Sequence, residues 1–226
     1  MISHVQDRLL SVQTMLDALP GVSYVVDPDG TIMMYNAAQW TSFARSNNSE
    51  HLTSPQAVLG HSLFSFIRTE SIQDHYRLFH RNIIDKRTTR VEFHYRCDAP
   101  HIRRDMLMCI SPIVDRGELF GILYQSITLA ETMRPAMGIF RYGDRTEFDS
   151  WPIITVCSYC LRLRNTENAG TGIEWLSPES YYHLGGSEHV RLSHGICPDC
   201  HDDIVKPQFV LAKIRAMSSS DHASHA

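Results

Sequence analysis

The chain lacks any long apolar run. None of its 226 residues falls in a stretch approaching the roughly 18 uninterrupted apolar residues of a membrane-spanning helix. It also lacks a basic surplus. With 21 Lys and Arg against 25 Asp and Glu, the formal net charge is −4, which offers nucleic acid no general attraction. The opening MISHVQDRLLSVQTMLDALP lacks the apolar core of an export signal, because Asp7, Arg8 and Asp17 interrupt it. These absences lead us to expect a cytoplasmic protein with reduced thiols. Catalytic signatures are missing as well. There is no phosphate-cradling Gly-rich loop, no kinase-type nucleotide site, no G-x-S-x-G and no H-E-x-x-H, so a non-enzymatic role is expected.

What is present is ordinary globular material, 43% hydrophobic and 20% charged, enough for one large domain or two small ones. Among the six cysteines, four form two C-x-x-C pairs, Cys157 with Cys160 and Cys197 with Cys200. The second pair sits in HGICPDCH, where Cys197, Cys200 and His201 also spell the C-x-x-C-H of covalent haem attachment. That reading needs export, and no export segment is visible. The zinc reading needs a second pair of thiols, and Cys157 and Cys160 provide it. Each pair makes a tight knuckle, and two knuckles complete a tetrahedron of about 2.3 Å Zn–S bonds with no open position, a structural site. Unmetallated pairs or a redox disulfide are the alternatives. His194 is a candidate for support behind the thiolates through a ring N–H, and His201 reads as a surface residue flanking the knuckle.

Ile2, Val5, Leu9, Val12, Leu16 and Leu19 recur at helical spacing, so residues 1–20 are expected to form an amphipathic helix. It either packs on its own domain or serves as a dimerisation helix. Val22–Val26 and TIMMY read as strands joined by the turn Asp27-Pro28-Asp29-Gly30, with Asn36 placed to cap a helix starting at Ala37. Short apolar and helical segments follow, including SIQDHYRLFHRNIIDKR. Three β-rich runs then close the half: RVEFHYRCD, RDMLMCISPIV and ELFGILYQSITLA.

The pieces LDALPGVSYVVDPDGTIMMYNAA, VLGHSLFSFI and FHYRCDAPHIRRDMLMCISPIVDRGELFGILYQSIT, in that order, resemble a PAS domain. The resemblance implies an α+β fold, a five-stranded antiparallel sheet with helices across one face, and a sensory or docking role. The Asn-Cys-Arg-Phe context of flavin-binding relatives is absent, and Cys97 and Cys109 read as strand residues. The resemblance also implies a possible axial ligand for haem b on the helix before the third strand. His75 and His80 lie there, about 140° apart around the helix. Only one can face inward, and His75 shares the face of Ile72, Phe79 and Ile83 more closely. The alternative is that both are surface or hydrogen-bonded histidines.

CSYCLRLR, EWLSPESYYH and LSHGICPDC resemble a C-terminal module of bacterial signalling proteins. The expected organisation is an N-terminal helix at 1–20, a PAS domain at 21–131, a linker at 132–150, a zinc-binding module at 151–215 and a disordered tail at 216–226. The function expected is signal sensing or adaptation through protein contacts, as a homodimer with an unknown signalling partner. A haem b gas or redox sensor is one alternative. A DNA-binding regulator is another, with Arg162, Arg164, Arg191 and Lys206 contacting phosphate.

Overall fold

The computed structural model describes residues 12–140, 150–165 and 174–223, with the backbone alone for 215–223. Two compact units share the chain. The first comprises residues up to Phe93, Leu107–Thr128 and the segment from Gln208; the second comprises His94–Met106 and Leu129–Pro207. No helix among the described residues is long and apolar enough to cross a membrane.

In the first unit, helix α1 (12–18) leads into β1 (Val22–Val26), β2 (Ile32–Tyr35) and α2 (Ala37–Ser46). The β1–β2 turn is fixed by Asp27, whose Oδ1 accepts from Asp29 N (3.0 Å) and Thr31 N (2.8 Å). Gly30 closes it at φ +90°, where a Cβ would collide with the Phe64 ring, so only glycine fits. Short 3₁₀ turns and helix α3 (Glu70–Ile84) follow, then β3 (Val91–Arg96), β4 (Ile102–Asp115) and β5 (Glu118–Met133). Arg116 and Gly117 both have positive φ, the requirement of a tight two-residue hairpin turn between β4 and β5.

The sheet order is β2-β1-β5-β4-β3, with β1 antiparallel to both neighbours. The five-stranded antiparallel sheet implied by the PAS resemblance is therefore present. All five residues of β1 are buried, so both faces of the sheet are covered here. Tyr24 and its partner Tyr124 point to the side of α2 and α3, where Trp40, Tyr76, Phe79 and Phe93 complete an aromatic cluster. Val25, Met34 and Leu123 point the other way and pack against Leu16, Val12 and Leu19 of the N-terminal segment. Helices on one face alone would have left Val25 and Leu123 in water. For Val12, Leu16 and Leu19 the apolar stripe is thus spent within the chain; Ile2, Val5 and Leu9 lie outside the described residues.

Asn36 precedes α2 but its side chain makes no cap bond. It turns back to β1 instead, with Oδ1 accepting from Ser23 N (2.9 Å) and Nδ2 donating to Gly21 O (2.8 Å). Buried backbone groups at the α1–β1 corner need partners more than the exposed helix end does, which corrects the cap expectation.

The second unit has its own four-stranded sheet in the order β8-β7-β6-β9, built from β6 (Ile153–Cys157), β7 (Leu163–Asn165), β8 (Glu174–Leu176) and β9 (Arg191–Gly195), with α4 (Pro178–His183) before β9. Its core is Ile139, Phe140, Val156, Leu163 and Val190. Ile139 and Phe140 fall in the segment expected as a linker; their burial makes 138–140 part of this unit, while 141–149 lie outside the described residues. A network missed by the sequence reading surrounds Asp98, whose side chain is fully buried. Arg96 and Arg134 both bind it, Arg134 Nη1 at 2.7 Å, and both also reach Glu179 Oε1, at 2.9 and 3.0 Å. Asp98 Oδ1 accepts from Arg104 N as well (3.2 Å). Two acids face two guanidiniums, so the buried charges are compensated.

The chain ends in α5 (Pro198–Cys200), a π turn (His201–Val205) and α6 (Lys206–Ala223). The wide turn sits directly before Pro207, which cannot donate back to Asp203 and would crowd its carbonyl in a regular helix. Helix α6 runs through most of the expected disordered tail. No Gly or Pro follows Pro207, so nothing in that stretch breaks a helix already started. Residues from Gln208 group with the first unit, where Asn82 Nδ2 donates to Gln208 O (2.9 Å), so the module expected at 151–215 is shorter at its end.

Candidate metal centre

β6 and β9 pair in parallel, with Cys157 opposite Gly195. Parallel strands leave the sheet at the same end, so each runs out into its C-x-x-C beside the other. The first knuckle closes with Leu161 N donating to Cys157 O (2.9 Å), and Leu161 adopts φ +59°, a left-handed conformation costly to a side-chain-bearing residue. In the second knuckle Cys197 caps α5, its Sγ accepting from Cys200 N (3.5 Å), with Pro198 preset at the first helical position. Cys197 N in turn donates to Cys157 Sγ at 3.4 Å.

The four sulfurs of Cys157, Cys160, Cys197 and Cys200 all lie within 4.8 Å of one another, and Cys160 and Cys197 are 3.7 Å apart. A tetrahedron with metal–sulfur bonds of about 2.3 Å has sulfur–sulfur edges of about 3.8 Å, so the donor set matches such an ion in type, number and spacing. Cys157 and Cys197 are fully buried. Within the cluster the Cys160 thiol is pushed down, first by hydrogen bonding from Cys157, then from Cys200 and Arg162, while the Cys157 thiol is pushed up to about 11 by the same exchange. The Cys200 thiol is pushed up as well, by hydrogen bonding with Cys157 and Cys160, so the bare cluster favours one thiolate, at Cys160, held by protonated neighbours.

Arg162, expected as a phosphate contact in the DNA-binding alternative, lies just before β7 and turns to the sulfurs. Its Nε donates to Cys160 Sγ (3.2 Å) and its Nη2 to Cys197 Sγ (3.0 Å) and Asp199 Oδ2 (2.7 Å). The cue in the sequence was only its place two residues after Cys160. His194 lies on β9 opposite Val156 with an exposed side chain. His201 is exposed beside Asp202. Arg191 donates to Trp151 O and Lys206 to Asp202, so these cations have partners inside the chain.

In the first unit His80, not His75, is the buried histidine of α3, at 5% exposure. Its Nε2 donates to Pro28 O (2.9 Å), which leaves Nδ1 of the neutral ring to accept from the Tyr124 hydroxyl (3.0 Å). The ring packs edge-on to Phe64 and stacks with Tyr124. Burial pushes its pKa down, against the opposing pull of the Pro28 carbonyl, Asp27 and Asp29. His75 is half-buried. Of the remaining cysteines, Cys97 is pushed up to about 11 by burial, and Cys109 accepts from Arg90 Nη2 at 3.5 Å.

No family model matches the chain, and no curated protein matches it. Solved structures do resemble it. The PAS domain of Bordetella pertussis BvgS is 20% identical, over 55% of this chain and 88% of that one, with a TM-score of 0.43. A phage VqmA–DPO complex is 15% identical over 57% of this chain and 56% of that one, also at 0.43. The sensor region of a sensor histidine kinase is 14% identical over 50% and 41%, at 0.34. The likenesses cover between 50% and 57% of this chain, and the latter two less than two thirds of the protein matched.

Proposed function

We propose that the chain is a cytoplasmic, non-enzymatic PAS-type sensor or adaptor that acts through protein contacts. One observation carries the reading: an antiparallel sheet with an aromatic-lined face shares the chain with a closed four-thiol site. Cys157, Cys160, Cys197 and Cys200 would hold Zn2+. Four sulfur donors leave a bound ion no position for water or substrate, so the ion supplies a fold-stabilising link and not chemistry. A structural site of this kind suits a module that presents a fixed docking face. We propose further that the protein works as a homodimer through its N-terminal segment, whose Val12, Leu16 and Leu19 pack on the sheet.

Metal analysis together with an absorbance spectrum on one chelator-free sample tests this reading. About one zinc per chain and no Soret band are expected. A zinc content far below that, with four freely reacting thiols, would refute the metal site. Light scattering tests the dimer, and a protein that stays monomeric at high concentration would remove that part. A second reading, haem b sensing, rests on His80 because it faces the aromatic cluster. Iron coordination there requires releasing the bond to Pro28 or to Tyr124. A Soret band abolished in His80→Ala would establish it in place of the ligand-free reading.

A further inference from the structure

The two knuckles come from strands far apart in the sequence, yet one side chain touches both. Arg162 Nε donates to Cys160 Sγ of the first knuckle at 3.2 Å, and its Nη2 donates to Cys197 Sγ of the second at 3.0 Å. The backbone beneath it is held, because Cys157 N donates to Arg162 O at 2.8 Å. Asp199 Oδ2 takes Nη2 from the outer side at 2.7 Å. That carboxylate is 67% exposed, and an exposed ion pair of this kind contributes little by itself. The sulfur contacts are what distinguish the position.

Four thiolates around a divalent ion leave two net negative charges in a partly buried site. A guanidinium offers several N–H donors in a rigid plane, whereas an ammonium is a single point charge. Resting on the reading that the four cysteines hold a divalent ion, we infer that Arg162 is a positioning residue of the metal site. Its guanidinium spans the two knuckles, offsets half of the excess charge, and holds the ion against chelators and thiol reagents. The hydrogen bonds also draw electron density from the two sulfurs, making them weaker nucleophiles toward electrophiles than bare thiolates.

The test uses the full chain loaded with Co2+, whose sulfur-to-metal charge-transfer band reports on the thiolates directly. Arg162→Gln is expected to lose Co2+ to a competing chelator about 10- to 100-fold more readily, the range found when partners behind metal ligands are removed. Its charge-transfer band should move to longer wavelength, because sulfurs freed of hydrogen bonds give up electrons more easily. Arg162→Lys restores the charge without the fork and should fall between the two in both readouts. It also carries the test if the Gln variant does not fold. Unchanged retention and an unchanged band in Arg162→Gln, or a Lys variant indistinguishable from wild type, would overturn the inference. Wild-type protein that takes up neither Co2+ nor Zn2+ would overturn the metal reading and this inference with it, and so is told apart from a failure confined to Arg162.

Discussion

Cys160 and Cys197, thirty-seven positions apart in the chain, bring their sulfurs to 3.7 Å. This is close to the edge of a metal–thiolate tetrahedron, about 3.8 Å for 2.3 Å bonds. Replacing either by serine should leave three thiolates and an open position. We expect Cys160→Ser and Cys197→Ser to retain far less zinc than wild type after dialysis against a chelator, and the second unit to melt at lower temperature. Metal analysis and thermal unfolding of the same samples check this. Equal zinc content in variant and wild type would remove these cysteines from the site.

Asp98 is the pivot of the ionic network, with Arg96 and Arg134 both directed at it. Asp98→Ala leaves two nearly buried guanidiniums to share the single carboxylate of Glu179 and orphans the Arg104 N–H. The expected cost is about 3–5 kcal/mol, the range for breaking a buried pair by removing one partner. Urea unfolding measures it, and a cost below about 1 kcal/mol would show that water replaces the carboxylate.

Glu179 supplies the pH dependence of that network. Burial would raise its pKa, but Arg96 and Arg134 outweigh it and hold the group down to about 2, from an ordinary value of 4.5. Between these values the unfolded chain binds a proton that the folded chain refuses. Glu179 therefore contributes its stability in full above pH 4.5 and loses it as pH falls toward 2. Stability of Glu179→Gln, measured by urea unfolding, should fall less steeply across that range than that of wild type.

His80 acts in the same direction at higher pH. Its folded pKa lies below the ordinary 6.5, so its contribution is complete above pH 6.5 and diminishes as pH drops below it. Tyr124→Phe removes the hydroxyl that donates to Nδ1 and should cost about 1–3 kcal/mol, the penalty for a buried group left unpaired. A double cycle with His80→Phe should show coupling between the two. Additive costs would mean the bond contributes nothing.

Much of the first unit was legible because its signals are local. The turn at Asp27–Gly30 and the alternation of the closing strands each depend on residues within a few positions of one another. The four cysteines were legible for a different reason, since two C-x-x-C pairs offer four soft donors at the spacing of metal knuckles. What escaped was decided at long range. Asn36 looks like a helix cap until the orphaned backbone at Gly21 and Ser23 competes for its side chain. Helical angle alone favours His75 over His80, whereas the Pro28 carbonyl and the Tyr124 hydroxyl reward burial of His80. Ile139 and Phe140 sit in a polar neighbourhood that reads as a connector, and only the core around Val156 and Leu163 explains their burial. Asp98, Arg96, Arg134 and Glu179 are scattered across the sequence, and no pattern in it joins them.

The parallel pairing of β6 with β9 also sets an order of events in time. At a synthesis rate of about 5–20 residues per second, the second knuckle leaves the ribosome roughly 2–8 s after the first. Until then Cys157 and Cys160 are a half-built receptor for an ion. The strand that would carry their partners, with Cys157 to stand opposite Gly195, has yet to be made. An ion bound by all four sulfurs would therefore be captured late in assembly, and its presence would certify that the distant halves of this sheet have met.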